Sequence, residues 1–190
     1  MRVISGIAKG KKLVSSNDKK IRPTSDKVKM AIYNIIEHGN ISFSLYNKNV
    51  LDLFSGSGSL GIEALSRGSA HCLFIDISKI SQQICRTNLE NCNLLNKSNN
   101  LVFNISNSKK FESEKKFDLI FADPPYNKNY ISTVFAFILK NELLNKNGLL
   151  VVEEDKKSKI IEDEYFELIC KKIYGNSQVL FFQLKLSSLK

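Results

Sequence analysis

The segment Leu51-Asp52-Leu53-Phe54-Ser55-Gly56-Ser57-Gly58-Ser59-Leu60-Gly61 carries glycines in the pattern GxGxxG. A glycine turn between a strand and a helix lets a ligand approach the backbone closely, and Asp76 follows at the distance where an acid grips a ribose diol. The turn alone suits a dinucleotide as well as any other adenosine-bearing cofactor. Asp52 shifts the balance, because an anion inside the strand disfavours a pyrophosphate and welcomes a ligand with ammonium and sulfonium charge, such as S-adenosylmethionine. The cofactor set expected on this reading is Asp52, Phe54, Gly56, Ser57, Gly58, Asp76 and Ile77.

A second constellation is Asp123-Pro124-Pro125-Tyr126. An exocyclic amine of a nucleobase is a poor nucleophile because its lone pair is delocalised into the ring. A site that methylates it must accept its N–H hydrogens and align it with the methyl group. The Asp123 carboxylate and the adjacent carbonyl offer acceptors, and two prolines fix that backbone with little freedom left to lose. Tyr126 offers a ring for an extruded base, worth about 1–3 kcal/mol per base. The tetrad by itself is also compatible with a plain turn; combined with the glycine loop it points to amine methylation.

These groups need a scaffold, and the pattern of apolar runs supplies one. Strands are expected at Val50–Phe54, Cys72–Asp76, Leu101–Ile105, Phe117–Ala122 and Leu149–Glu153, and helices at Ser59–Arg67, Lys79–Asn91 and Ile131–Lys140. Short apolar strands alternating with helices predict a mostly parallel, Rossmann-like α/β sheet covered on both faces. Tyr165–Ile173 and Gln178–Leu186 lack a helix between them and predict an antiparallel hairpin completing a seven-stranded sheet. Ahead of this core, Met1–Leu13 reads as a hairpin and Thr24 as the N-cap of a helix with an apolar stripe at Val28, Ala31, Ile32, Ile35 and Ile36. That spacing places Lys27 and Lys29 outside the stripe. The division expected is a basic extension at 1–40 packed on a methyltransferase domain at 41–190.

Charge supports a polyanionic partner. The chain has 190 residues and a net charge of +9, yet residues 1–30 hold nine basic and two acidic side chains while the remainder is close to balanced. A general lysine bias would spread the excess, so Lys9, Lys11, Lys12, Arg22, Thr24 and Lys27 are the expected RNA-contacting set. No apolar run reaches the roughly 18–20 residues of a membrane span, and the lysine-rich start is not a signal peptide, so a cytoplasmic protein away from the membrane is expected. The four cysteines form no CxxC pair and the two histidines, His38 and His71, lack metal-ligand spacing; neither disulfides nor a metal are expected.

The run Arg22-Pro23-Thr24-Ser25-Asp26-Lys27-Val28, the loop from Asp52 through Gly68, the Asp123–Tyr126 tetrad and Val151-Val152-Glu153-Glu154 together resemble the RsmD family, over nearly the whole chain. The resemblance implies a class I methyltransferase fold, S-adenosylmethionine as donor, and transfer to N2 of one guanine of 16S ribosomal RNA in an assembled or assembling small subunit, by a monomer. It implies that Asp123, Pro124, Pro125 and Tyr126 are catalytic, and that Asn107 stands where adenine-ring contacts are expected. Lys27 and Lys29 replace usual arginines, and Asp76 a usual glutamate. The rival readings are an amine methyltransferase for adenine or a protein glutamine, an inactive RNA-binding assembly module, and a nicotinamide oxidoreductase, the last disfavoured by Asp52.

Overall fold

The computed structural model describes residues 1–15, 26–41, 43–107, 111–113, 115–125, 130–160 and 163–185. Two stretches are separately compact, Met1–Phe103 and Asn104–Lys190. Seven strands form one sheet in the order Ser98–Val102, His71–Asp76, Asn49–Leu53, Phe117–Ala122, Leu144–Asp155, Ser177–Leu184, Phe166–Tyr174.

In the first stretch, helix α1 (Asp26–His38) precedes β1 (Asn49–Leu53), α2 (Ser59–Ser66), β2 (His71–Asp76), α3 (Lys79–Asn91) and β3 (Ser98–Val102). β1 pairs with β2 and β2 with β3, both in parallel. The apolar run of β1 is buried from Val50 to Leu53, as a strand covered on both faces requires. Every residue of α2 is buried. That burial explains Gly61: a Cβ there would lie 2.4 Å from the Phe74 ring and 2.6 Å from Cys72 Sγ, so only glycine lets helix and strand approach this closely. β3 begins three residues earlier than the expected Leu101–Ile105. Its first three residues, Ser98, Asn99 and Asn100, are polar, as suits a strand at the end of the strand order, and the Asn100 amide donates to Gln82 Oε1 at 2.8 Å.

In the second stretch, β4 (Phe117–Ala122), α4 (Tyr130–Lys140), β5 (Leu144–Asp155), β6 (Phe166–Tyr174) and β7 (Ser177–Leu184) follow. β4 and β5 are parallel, with a register shift between Phe117 and Leu119. β7 is antiparallel to both β5 and β6. The β6–β7 connection turns at Gly175, φ +60°, as the expected hairpin requires. Phe135 of α4 stacks on Phe166 at 4.3 Å and meets Phe182 edge-on at 5.1 Å, fixing the helix against the hairpin.

The chain start is not a loose tail. Arg2 and Lys12 pair in an antiparallel bridge, with Val3 N–H donating to the Lys11 carbonyl at 2.9 Å. This hairpin runs along α2. Ile4 and Ser5 donate their N–H groups to the two carboxylate oxygens of Glu63 at 2.7 and 2.9 Å, and Ile7 N–H donates to the Ser66 carbonyl at 2.8 Å. Glu63 also accepts from Arg67 Nε at 2.8 Å, and Arg67 pairs in turn with Glu37 and lies over the Tyr33 ring.

Lys29 corrects the sequence reading. It lies inside, 0% exposed, and its Nζ donates to the Arg2 carbonyl at 2.7 Å and sits 3.8 Å from both Glu63 and Asp26. Its aliphatic stem extends the buried stripe of Val28, Ile32, Tyr33 and Ile36, so the ammonium is carried in with it. Burial lowers its pKa, opposed by the Glu63 and Asp26 carboxylates. The expected N-cap Thr24, with Arg22, lies outside the described residues.

Removing one member of a buried ion network leaves the others unpaired, at about 3–5 kcal/mol. Glu63→Ala is therefore expected to lower the urea-unfolding free energy by that amount and to expose residues 1–14 to proteolysis. Unchanged stability and protection would show that the hairpin is held elsewhere.

Candidate functional site

The turn from β1 into α2 uses left-handed backbone at Phe54 (φ +58°), Gly56 (φ +52°) and Gly58 (φ +79°). Glycine adopts this conformation freely, whereas phenylalanine there is strained. The three glycines of the motif have different tasks. At Gly58 an added Cβ would lie 2.5 Å from Cys85 Sγ, so this glycine, like Gly61, serves packing. At Gly56 it would meet only the Phe54 carbonyl, at 3.9 Å. The open side of the turn is at Gly56, where a ligand can reach the backbone.

Two carboxylates brace the turn. Asp52, 2% exposed, accepts the Gly61 N–H at 2.9 Å through Oδ2. The helix α2 has Gly58 as N-cap, with no side chain to satisfy its free N–H groups, so the preceding strand supplies the acceptor. Among the described residues no cation pairs with Asp52. Burial, the largest influence, raises its pKa from 3.8 to about 7; the Gly61 bond lowers it, and the Asp76 charge adds to the rise. A cationic ligand group is what such a carboxylate lacks.

Asp76, half-buried at the carboxyl end of β2, accepts from Gly56 N–H through Oδ2 at 2.9 Å and from Ser78 N–H through Oδ1 at 2.8 Å. Each carboxylate oxygen has a second lone pair, so ribose hydroxyls can be added to these bonds. Ile77 follows, 65% exposed, an apolar surface beside the acid. Three features of the turn are compatible with S-adenosylmethionine: the open face at Gly56, the acceptor capacity left on Asp76, and the buried carboxylate of Asp52, which has no cation partner among the described residues.

Two side chains of α3 that sequence reasoning missed hold the turn from beneath. Gln82 Nε2 donates to Ser55 Oγ at 3.2 Å, and Asn88 Nδ2 donates to the Ser57 carbonyl at 2.9 Å. The available signal was a pair of amides at helical spacing with the apolar Cys85 and Leu89, on a face that also buries Ser81. Glu63 carried a similar signal as the one acid in an apolar helix.

The remaining expected residues occupy these places. Asn107 is exposed, its N–H donating to the Asn104 carbonyl at 3.1 Å. Asp123 is half-buried just past the end of β4, Pro124 is buried and Pro125 exposed. Tyr126 lies outside the described residues. Lys9, Lys11, Lys12 and Lys27 are exposed. Among the described residues no group of three or more metal-ligating side chains occurs, and no helix is long and apolar enough to cross a membrane.

The family described as conserved hypothetical protein 95 matches residues 1–183. The protein named ribosomal RNA small subunit methyltransferase D in Haemophilus influenzae is 30% identical over 177 residues, covering 92% of this chain and 89% of its own. The solved structure of yhhF from Escherichia coli, assigned as a methyltransferase, superposes with a TM-score of 0.82 at 24% identity, covering 97% of this chain and 98% of that one. The solved structure of HI0767 from Haemophilus influenzae, assigned as a methylase, gives 0.76 at 27% identity, with 96% and 97% covered. The sheet is that of class I methyltransferases, as the family resemblance implies and as the mostly parallel α/β sheet expected from the alternation of strands and helices allows.

A carboxyl held at a pKa of about 7 in the fold, against 3.8 in its ordinary state, keeps its proton longer when folded than when unfolded. Its contribution to stability is full below pH 4 and is lost as pH rises toward 7. Relative to Asp52→Asn, the wild type is expected to lose about 1 kcal/mol per pH unit across that window and nothing further above it. Urea unfolding of both proteins at successive pH values measures this, and parallel curves would refute it.

Proposed function

The chain belongs to the RsmD family of small-subunit ribosomal RNA methyltransferases, and from that premise we propose that it methylates N2 of a guanine in 16S ribosomal RNA, in an assembled or assembling small subunit. The observation that carries this reading is the turn at Phe54–Gly58, open at Gly56 and flanked by the carboxylates of Asp52 and Asp76. When bound, S-adenosylmethionine supplies a sulfonium methyl that the guanine amine takes by direct displacement as the C–S bond breaks. The Asp76 carboxylate would hold the ribose, Ile77 the adenine face, and Asn107 the adenine edge. Asp52 would face the positive charge of the ligand, with Phe54, Gly56, Ser57 and Gly58 forming the backbone cradle.

Asp123 and the carbonyl following it would accept the N–H hydrogens of the target amine, and Pro124 and Pro125 would hold those acceptors still. Tyr126 would stack on the base. Alignment supplies most of the acceleration, so no nucleophilic side chain and no metal are required. The proton leaves the product nitrogen for water once the methyl group is in place. Residues 1–40 would form the RNA-docking extension, with Lys9, Lys11, Lys12 and Lys27 as exposed cations beside Arg22 and Thr24. The setting would be the cytoplasm, where small subunits are assembled.

Asp123→Ala is expected to cut single-turnover transfer of labelled methyl to undermethylated small subunits at least about a hundredfold, because the amine is left misaligned and its hydrogens unpaired, at about 3 kcal/mol. The affinity for S-adenosylmethionine, measured by calorimetry on the same protein, should change little. Transfer near the wild-type rate would remove Asp123 from the catalytic set.

The hairpin makes a separate expectation. Replacing Lys9, Lys11 and Lys12 together by alanine should weaken binding to the small subunit and lower its salt slope by roughly one for each phosphate that these lysines neutralise. Equal slopes for the two proteins would assign these lysines to solvent.

A further inference from the structure

Gly56 and Ser57 are gripped from opposite sides. Asp76 accepts the Gly56 N–H at 2.9 Å, and Asn88 donates to the Ser57 carbonyl at 2.9 Å. The same Asn88 side chain also accepts the Val14 N–H at 2.7 Å and donates to the Val14 carbonyl at 2.9 Å. Both amide hydrogens are thereby used, one on the cofactor turn and one on the segment that follows the Arg2–Lys12 bridge of the N-terminal hairpin. Asn88 is 0% exposed, so it cannot rotate away from either partner without leaving polar groups unpaired in the interior.

We propose that Asn88 is a positioning residue that makes occupancy of the cofactor turn and seating of the basic N-terminal hairpin depend on each other. This rests on the reading of the turn as the S-adenosylmethionine site. A ligand on Asp76 acts at the Gly56 side of a dipeptide whose Ser57 side is fastened to Val14 by a single side chain. The other anchors of the hairpin, Glu63 and Ser66 of α2 and Lys29 of α1, hold Arg2, Ile4, Ser5, Ile7 and Ala8, and none of these bonds reaches residues 54–58. The link at the turn itself is therefore Asn88. Because coupling between two binding events is reciprocal, a subunit that holds the hairpin tightens the cofactor by the same factor by which the cofactor tightens the subunit.

The test uses S-adenosylhomocysteine, which has no methyl to transfer, and undermethylated small subunits. In the wild type, S-adenosylhomocysteine should slow hydrogen exchange at the Val14 amide, and saturating subunits should tighten its binding at least about fivefold. In Asn88→Leu that factor should fall to near one, a change that a merely stabilising residue would not produce. A full coupling factor in the variant overturns the proposal. Should the variant fail to fold, the wild-type exchange measurement decides, and a Val14 amide indifferent to bound S-adenosylhomocysteine overturns it as well. Wild-type protein that binds no S-adenosylhomocysteine overturns the cofactor reading and this proposal together, an outcome distinct from binding without coupling.

Discussion

Between Leu53 and Ser59 the chain must leave a buried strand and enter a buried helix through a turn with three left-handed residues, one of them Phe54. A bulky residue in that conformation costs about 1–3 kcal/mol, and the fold must offset it locally. The offset comes from charge. Gly56 and Ser78 donate to Asp76, and Gly61 donates to Asp52. Hydrogen bonds to ionised groups are worth about 1.5–3 kcal/mol each, so those to Asp76 alone are enough to hold the turn. The bond to Asp52 adds less near neutral pH, since that carboxyl titrates at about 7.

The same economy of polar groups governs the chain start. Glu63 is 0% exposed and still faces two backbone N–H groups, a lysine and an arginine, so its charge is distributed over four partners from three elements. This is why the basic hairpin lies fixed along α2. It also divides the lysines of the first 30 residues by role. Lys29 is internal and structural, while Lys9, Lys11 and Lys12 face outward from a braced support. Fixed cations lose less freedom on meeting a phosphate backbone than cations on a loose tail would.

Much of this is legible in the residues. The alternation of short apolar runs and helical stripes fixes the strand and helix sequence, and the Tyr174–Ser177 spacing marks the terminal hairpin, because both patterns are local. Boundaries fail where partners are remote: Ser98–Val102 is a strand through its pairing with Cys72–Asp76, although its own asparagines disfavour it. Lys29 departs from its helical spacing for a related reason. Periodicity describes where a Cα points, whereas a long aliphatic stem follows the buried face and brings its charge to acceptors 27 and 34 residues away, the Arg2 carbonyl and Glu63. Gln82 and Asn88 show in the sequence only as amides on a buried helix face, because an amide states nothing about its partner until the fold supplies one. The glycine pattern is a single motif in the sequence, yet only the structure separates Gly56, open to a ligand, from Gly58 and Gly61, which are required by packing.

Asp76 shows how one acid can serve both the fold and the ligand. Its two oxygens accept the backbone N–H groups of Gly56 and Ser78, and these bonds set the geometry of the turn with no ligand present. The second lone pair on each oxygen leaves capacity for two further donors, as the hydroxyls of a diol would supply. The ordering of the turn is thus met by folding instead of being charged against binding, the general route by which a preformed site gains affinity. On the proposed reading of the turn, the length of the side chain at position 76 is constrained twice, once by the Gly56 N–H and once by the ribose. A longer acid here would have to keep its grip on the turn while moving its free lone pairs outward by a methylene, so aspartate and this turn form a matched pair.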